Sequence, residues 1–214
     1  MKKNKGVFIT FEGPEGCGKS THSKLLCRFL KNLGYGYVHT REPGGTDAGE
    51  KIREILLKSK DVNISDLAEI FLFEAARAQI VREIIQPALK KGKIVICDRF
   101  TDSTVAYQGY GGKAAAPQVI DKLNSIATGG LKPDLTVFLD LDTHTGLKRA
   151  KKKGTDRMEA KDLSYHKRVR KGYLELAKRE PGRIKVIKVD DEIGKTQDKI
   201  RRIALSLIQK ISVE

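Results

Sequence analysis

Apolar residues along this chain switch repeatedly between short unbroken runs and a three-to-four-residue repeat. Val7-Phe8-Ile9-Thr10-Phe11 is a β-branched and aromatic run suited to a buried strand, and Leu25, Leu26, Phe29, Leu30 and Leu33 then recur at helical spacing. The alternation predicts a second strand over Tyr37–Thr40, then a helix carrying Ile52, Ile55 and Leu56, with Thr46 or Asp47 as its cap. A long helix is predicted from Ser65 or Asp66 to Lys91. Its stripe of Leu67, Ile70, Phe71, Ala78, Val81, Ile84, Ile85 and Leu89 is wider than one face and could also serve a dimer. Ile94–Asp98 reads as strand three. Ser103, Thr104, Tyr107 and Gln108 follow on a helical turn, and Gly109-Tyr110-Gly111-Gly112 is expected to loosen the chain. A helix over Pro117–Thr128 should turn Val119, Ile120, Leu123 and Ile126 inward. Leu135–Leu141 is strand four, and Thr143 can cap a helix reaching about Lys153. A basic helix spans about Ser164 to Lys178, strand five is Ile184–Asp190, and Ile200, Ile203, Ala204, Leu207, Ile208 and Ile211 form a closing helix. Strands alternating with helices predict an α/β fold on a mainly parallel sheet. The 214 residues suffice for one well-buried domain and are marginal for two.

Between the first strand and the first helix lies Gly13-Pro14-Glu15-Gly16-Cys17-Gly18-Lys19-Ser20, the G-x-x-x-x-G-K-S pattern of a phosphate-binding loop, followed by Thr21. Strand before and helix after are the context the pattern requires. The glycines let several backbone N–H groups converge on one anion, and the helix start adds partial positive charge there. Lys19 should reach the β- and γ-phosphates of a nucleoside triphosphate, and Ser20 should hold Mg²⁺. Asp98 closes an apolar strand, where a carboxylate near such a loop binds Mg²⁺ through water, and Arg99 beside it would contact a phosphate. Arg41-Glu42-Pro43-Gly44-Gly45-Thr46 is a rigid bend after a strand, a place where α/β proteins put ligands. Arg41 is there either a phosphate ligand or half of a surface salt bridge. Phe73 and Arg77, four apart, project from one side of their helix and suit a planar base. Spacing alone favours ordinary core packing with a surface arginine.

Charge changes the picture locally. The formal net charge of +15 admits a polyanion partner. Residues 148–171 hold 11 Lys or Arg against 3 Asp or Glu, a basic cluster that could serve nucleotide phosphates. Polar, glycine-broken residues around 152–159 make a candidate mobile lid. Cys17, Cys27 and Cys97 are odd in number and form no C-x-x-C, which argues against a disulfide framework or a zinc site. Cys17 is a small filler of its loop or a reactive thiol, and the four histidines form no metal-ligand pattern. No apolar stretch approaches a membrane span and no signal-peptide core precedes the first strand, so a cytoplasmic protein with no membrane partner is expected. A regulatory GTPase should carry N-K-x-D, which is absent. A nucleic-acid-dependent ATPase would answer to the charge alone, and no nucleic-acid partner is expected.

Phe11-Glu12-Gly13 through Thr21, Arg41 through Thr46, Phe73 to Arg77, Asp98-Arg99 with Ser103 and Tyr107-Gln108-Gly109, Pro133-Asp134-Leu135-Thr136 and Asp156-Arg157-Met158-Glu159 together resemble the thymidylate kinase family, in order and over nearly the whole chain. The resemblance implies γ-phosphoryl transfer from Mg·ATP to dTMP, giving dTDP and ADP in dTTP biosynthesis. It implies a P-loop NTPase-like three-layer sandwich with a five-stranded parallel sheet flanked by helices, residues 1–214 as one kinase domain, a lid over about 149–162, and a homodimer. It implies ATP binding by residues 13–21, that is Gly13, Pro14, Glu15, Gly16, Cys17, Gly18, Lys19, Ser20 and Thr21. Glu15 should face the 3′-hydroxyl of dTMP and Arg41 and Arg99 its phosphate. Phe73 should stack on thymine, Arg77 bond its exocyclic oxygen, and Ser103, Thr104 and Gln108 line the base pocket. Tyr107 should pack where a ribose 2′-hydroxyl would lie. Ser20 and Asp98 should hold Mg²⁺, and the Glu42–Pro43 bond should be cis. The family places a catalytic arginine in the P-loop or in the lid. This P-loop has none, so the chain resembles the lid group. Lys151 and Lys153 stand where lid arginines are common, and Arg157, supported by Arg149 and Lys153, is expected to bridge the phosphates alongside Lys19 and Arg99.

Overall fold

The computed structural model describes residues 5–58, 62–151 and 156–213. Five strands, β1 (Val7–Glu12), β2 (Tyr37–Arg41), β3 (Ile94–Asp98), β4 (Leu135–Asp140) and β5 (Ile184–Lys188), form one parallel sheet in the order β2-β3-β1-β4-β5. The helices are α1 (Lys19–Asn32), α2 (Asp47–Leu57), α3 (Asp66–Ile80), α4 (Gln86–Lys90), α5 (Thr101–Thr104), α6 (Pro117–Thr128), α7 (Thr143–Lys151), α8 (Leu163–Arg179) and α9 (Ile193–Val213).

Side chains alternate across a strand, and β1 shows how that builds three layers. Val7, Ile9 and Phe11 pack with Leu26 and Leu30 of α1 and Ile200, Ala204 and Ile208 of α9. Phe8 points the other way, onto Ile80, Ile85 and Phe100. Thr10 and Glu12 share that second side: Thr10 Oγ1 bonds Thr136 Oγ1 at 2.8 Å, and Glu12 reaches the helices beyond. On the same side of β4, Phe138 stacks on Tyr173 of α8, with ring centroids 5.1 Å apart.

The predicted helix from 65 to 91 is continuous but not uniform. Ser65 caps it, its hydroxyl accepting from Ala68 N, and Val81–Ile85 form a wider π-helical turn between α3 and α4. Pro87 is the reason: it lacks an N–H and its ring crowds the carbonyl four residues back, so the preceding turn opens. Gly109–Gly112 does not loosen the chain as expected. Val105–Gly111 prolongs α5 as π-helix, because a Cβ on Gly111 would lie 2.7 Å from Val169 and 2.9 Å from the Tyr165 ring. Gly111 allows α8 to approach, and Gly109 does the same for α6, where a Cβ would lie 3.1 Å from Ile120. The expectation for α6 also fails in part: Ile120, Asn124 and Thr128 face inward, while Val119 and Ile126 are exposed. Thr46 caps α2, accepting from Gly49 N at 3.0 Å. Asp142 rather than Thr143 accepts the Thr145 N–H at the start of α7, and Asp162 caps α8. Leu67, Phe71 and Ala78 lie on the outward side of α3.

Leu30 is fully buried between α1 and the sheet. Leu30→Ala should cost about 2–5 kcal/mol, read as a lowered urea midpoint with an unchanged slope.

Candidate active site

At the carboxyl ends of β1, β2 and β3 a cleft of about 230 Å³ opens between the P-loop and the helices that follow β2 and β3. Gly13, Gly16 and Gly18 take φ of 142°, 68° and 93°, the left-handed region that glycine enters without strain. No side chain caps α1 and no acid sits in its first turn, so its N-terminal amides remain for an anion. The loop is pressed against α7: a Cβ on Gly16 would lie 2.0 Å from Gly146 O, and one on Gly146 would lie 2.3 Å from Glu15 O. Lys19 Nζ donates to Gly13 O at 3.0 Å and Pro14 O at 2.8 Å, which curls its ammonium over the loop. Cys17 is buried, and burial pushes its thiol up, so it is a filler of the loop and not a reactive group.

Arg99 is the centre of the cleft. Its φ of 71° is unusual for a residue with a side chain. Its Nη2 donates to Glu15 Oε1 at 2.6 Å and to Tyr107 OH at 3.0 Å; its Nη1 donates to Gly13 O at 3.2 Å and Ser103 Oγ at 3.2 Å. The guanidinium lies over the Tyr107 ring, 4.8 Å from its centroid. Burial acts to raise the Glu15 pKa, but Arg99, Lys19 and the Tyr107 hydroxyl outweigh it and hold the carboxyl at about 2.

Arg77 is buried, with Nε to Glu42 Oε2 at 2.9 Å and Nη1 to Glu74 Oε1 at 2.6 Å, Thr104 Oγ1 at 2.9 Å and Asn124 Oδ1 at 2.7 Å. That settles the alternative left open by spacing: Arg77 is no surface arginine, and it lines the cleft beside half-buried Phe73. Gln108 Nε2 donates to Glu69 at 2.9 Å. The Glu42–Pro43 peptide is cis. Arg41 pairs with Glu50 at 2.9 Å, the salt bridge of its second reading, and it also lines the cleft. Asp98 Oδ1 is buried without a hydrogen-bond partner, with His39 Nε2 3.7 Å away. Burial works against its ionisation, yet the nearby polar groups of His39, Ser23 and Ser20 keep the carboxyl below the usual range.

Two expected residues are not brought in. Arg157 donates to Leu56 O at 2.9 Å and pairs with Glu69, so it faces α2 and α3 rather than the cleft. Arg149 is exposed and pairs with Asp191 at 3.1 Å. Lys151 is exposed at the end of α7; Lys153 lies outside the described residues. Other residues went unread in the sequence. Arg53 lines the cleft and donates to Pro43 O at 2.8 Å; burial and the Arg41 charge lower its pKa. Its signal was its place one helical turn after Glu50. Glu12, buried at the end of β1, was visible only as an acid ending an apolar strand.

A P-loop at the end of a central parallel strand, facing a socket of arginines around an aromatic ring, defines a nucleotide-binding phosphotransferase. The thymidylate kinase family model matches residues 11–200. The chain is 50% identical over 191 residues to a thymidylate kinase of Dehalococcoides mccartyi, covering 89% of this chain and 91% of that one. It is 47% identical over 206 residues to one of Kosmotoga olearia, covering 96% and 98%. The crystal structure of thymidylate kinase from Ehrlichia chaffeensis superposes with a TM-score of 0.78 at 36% identity, covering 94% of this chain and 99% of that one. The chain belongs to the thymidylate kinase family.

The Glu15–Arg99 pair makes acid stability testable. The folded pKa of Glu15, about 2, lies below its ordinary 4.5, so its contribution is complete above pH 4.5 and lost as pH falls toward 2. That amounts to about 3 kcal/mol. Urea midpoints taken between pH 5 and 2.5 should fall more steeply for the natural protein than for Glu15→Gln.

Proposed function

We propose that this cleft transfers the γ-phosphoryl group of Mg·ATP to dTMP, giving dTDP and ADP in nucleotide biosynthesis, and that its residues divide the work as follows. The carrying observation is that one cavity is lined both by Lys19 and Ser20 of the P-loop and by Phe73 and Arg77 of α3. The P-loop over residues 13–21, through its backbone N–H groups (Pro14 has none) and Lys19, holds the β- and γ-phosphates. Arg99, Arg41 and Arg53 hold the dTMP phosphate, and Glu15 takes the sugar 3′-hydroxyl. Phe73 stacks on thymine, Arg77 and Gln108 read its edge, Ser103 and Thr104 close the pocket, and Tyr107 fills the space beside C2′. Phosphoryl transfer needs no protein nucleophile; positioning and charge neutralisation suffice. The orphaned Asp98 Oδ1 beside Ser20 fits Mg²⁺, which takes few protein oxygens and keeps several waters. Mg²⁺ bound there supplies charge neutralisation between the phosphates.

Residues 149–162 are the lid of a single kinase domain. Asp156, Met158 and Glu159 already line the cleft, and Asp156 Oδ1 accepts from Met158 N and Glu159 N, both at 2.8 Å. With Arg157 docked on Glu69, the described cations lining the cleft near the P-loop are Lys19 and Arg99; Arg157 joins them on release, with Arg149 and Lys153 in support. A homodimer forms through the outward side of α3. Leu67, Phe71, Ala75 and Ala78 are exposed there at helical spacing, next to exposed Val119 and Ile126 of α6. The protein works in the cytoplasm, in keeping with three cysteines that are all free thiols.

ATP consumption with each nucleoside monophosphate in turn, with and without Mg²⁺, tests the assignment. dTMP should lead and dUMP should follow at roughly 10–200-fold lower kcat/KM, the worth of one methyl group. Equal rates on dTMP and dCMP would contradict the role of Arg77. Lys19→Ala should lose most turnover with an unchanged circular dichroism spectrum, and full activity in that variant would refute the phosphate cradle. In light scattering after size exclusion, Phe71→Glu should elute at monomer mass where the natural chain elutes as a dimer.

A further inference from the structure

Glu12 does not line the cleft, yet two of the hydroxyls that hold Arg99, and the backbone that follows it, are tied to this one carboxyl. Its side chain is fully buried at the end of β1. Oε1 accepts the Phe100 N–H at 2.7 Å, directly after the left-handed Arg99. Oε2 accepts the hydroxyls of Ser103 at 2.6 Å and Tyr173 at 2.8 Å. Arg99 Nη1 in turn donates to the same two oxygens, Ser103 Oγ at 3.2 Å and Tyr173 OH at 3.3 Å.

The direction of these bonds matters. A charged carboxylate only accepts, so it draws toward itself the hydrogens of Ser103 and Tyr173, whose oxygens also lie 2.8 Å from each other. Their lone pairs are then left facing the guanidinium. One carboxylate thereby fixes the backbone that follows Arg99 and the polarity of two groups its side chain binds. Burial and Asp102 push the Glu12 carboxyl up, while Arg99, Ser103 and the Phe100 amide favour its charged form. The geometry points to Glu12 as the positioning residue of Arg99: it sets the arginine to grip the substrate phosphate through Ser103, Tyr173 and the Phe100 amide, without contacting substrate. This rests on the dTMP reading above, since it needs Arg99 to bind that phosphate.

Glu12→Gln is the discriminating variant. Gln keeps an oxygen for the Phe100 amide but sets an NH₂ against the two hydroxyls. Both hydroxyls then lose the acceptor that drew their hydrogens away from Arg99. Calorimetric titration with dTMP and with thymidine separates phosphate grip from base recognition. Glu12→Gln should weaken dTMP binding by about tenfold or more while thymidine affinity stays within about twofold. The same variant should lower kcat with little change in KM for ATP. Equal losses for dTMP and thymidine, or no loss for either, would overturn the assignment. Should Glu12→Gln fail to fold, Tyr173→Phe removes one of the oriented hydroxyls and should show the same selective loss at smaller size; parallel losses there overturn it too. A natural protein that binds dTMP no better than thymidine would overturn the dTMP reading itself, and this one with it.

Discussion

Five cations, Lys19, Arg41, Arg53, Arg77 and Arg99, share one small cleft, and the structure depends on how their repulsion is held in check. The principal counterweight is Glu15, which meets Arg99 at 2.6 Å and takes the Tyr107 hydroxyl as well. Glu50 does the same for Arg41, and Glu42 with Glu74 for Arg77. Each carboxylate is placed so that its partner stays charged and oriented before any phosphate arrives. In a low-dielectric cleft such preorganisation is worth more than the same charges would be in water.

The sheet order explains why these groups meet. β1 lies centrally between β3 and β4, so the chain leaves its carboxyl end at the point where the winding reverses. Arg41 pairs in register with Asp98, and Phe11 with Asp98 from the other side. The bend after β2, the P-loop after β1 and Arg99 after β3 therefore open on the same edge. The helices behind them line the rest of the cleft: α3 with Phe73 and Arg77, and the prolonged α5 with Tyr107 and Gln108.

Much of this was legible in the residues, for reasons that can be named. A run such as Ile94-Val95-Ile96-Cys97 has one stable fate, burial in a parallel sheet, and G-x-x-x-x-G-K-S constrains backbone directly. Positions whose role is set by distant partners were not legible. Ile126 reads as core by its spacing, yet the inward stripe of α6 is given to Asn124, which serves Arg77 from 47 residues away. Gly109–Gly112 reads as a break because glycine is usually free; only the approach of α8 shows that absence of a side chain was the requirement. Arg53 and Glu12 carry no motif of their own. Arg157 sits in a familiar segment, but Glu69 holds it elsewhere.

The contact between Gly16 and Gly146 bears on how the anion cradle keeps its shape. Backbone meets backbone there without room for a methyl group, so the anion cradle and the first turn of α7 form one rigid block. A side chain at either glycine would wedge the loop off its helix and pull apart the floor on which a phosphate would rest.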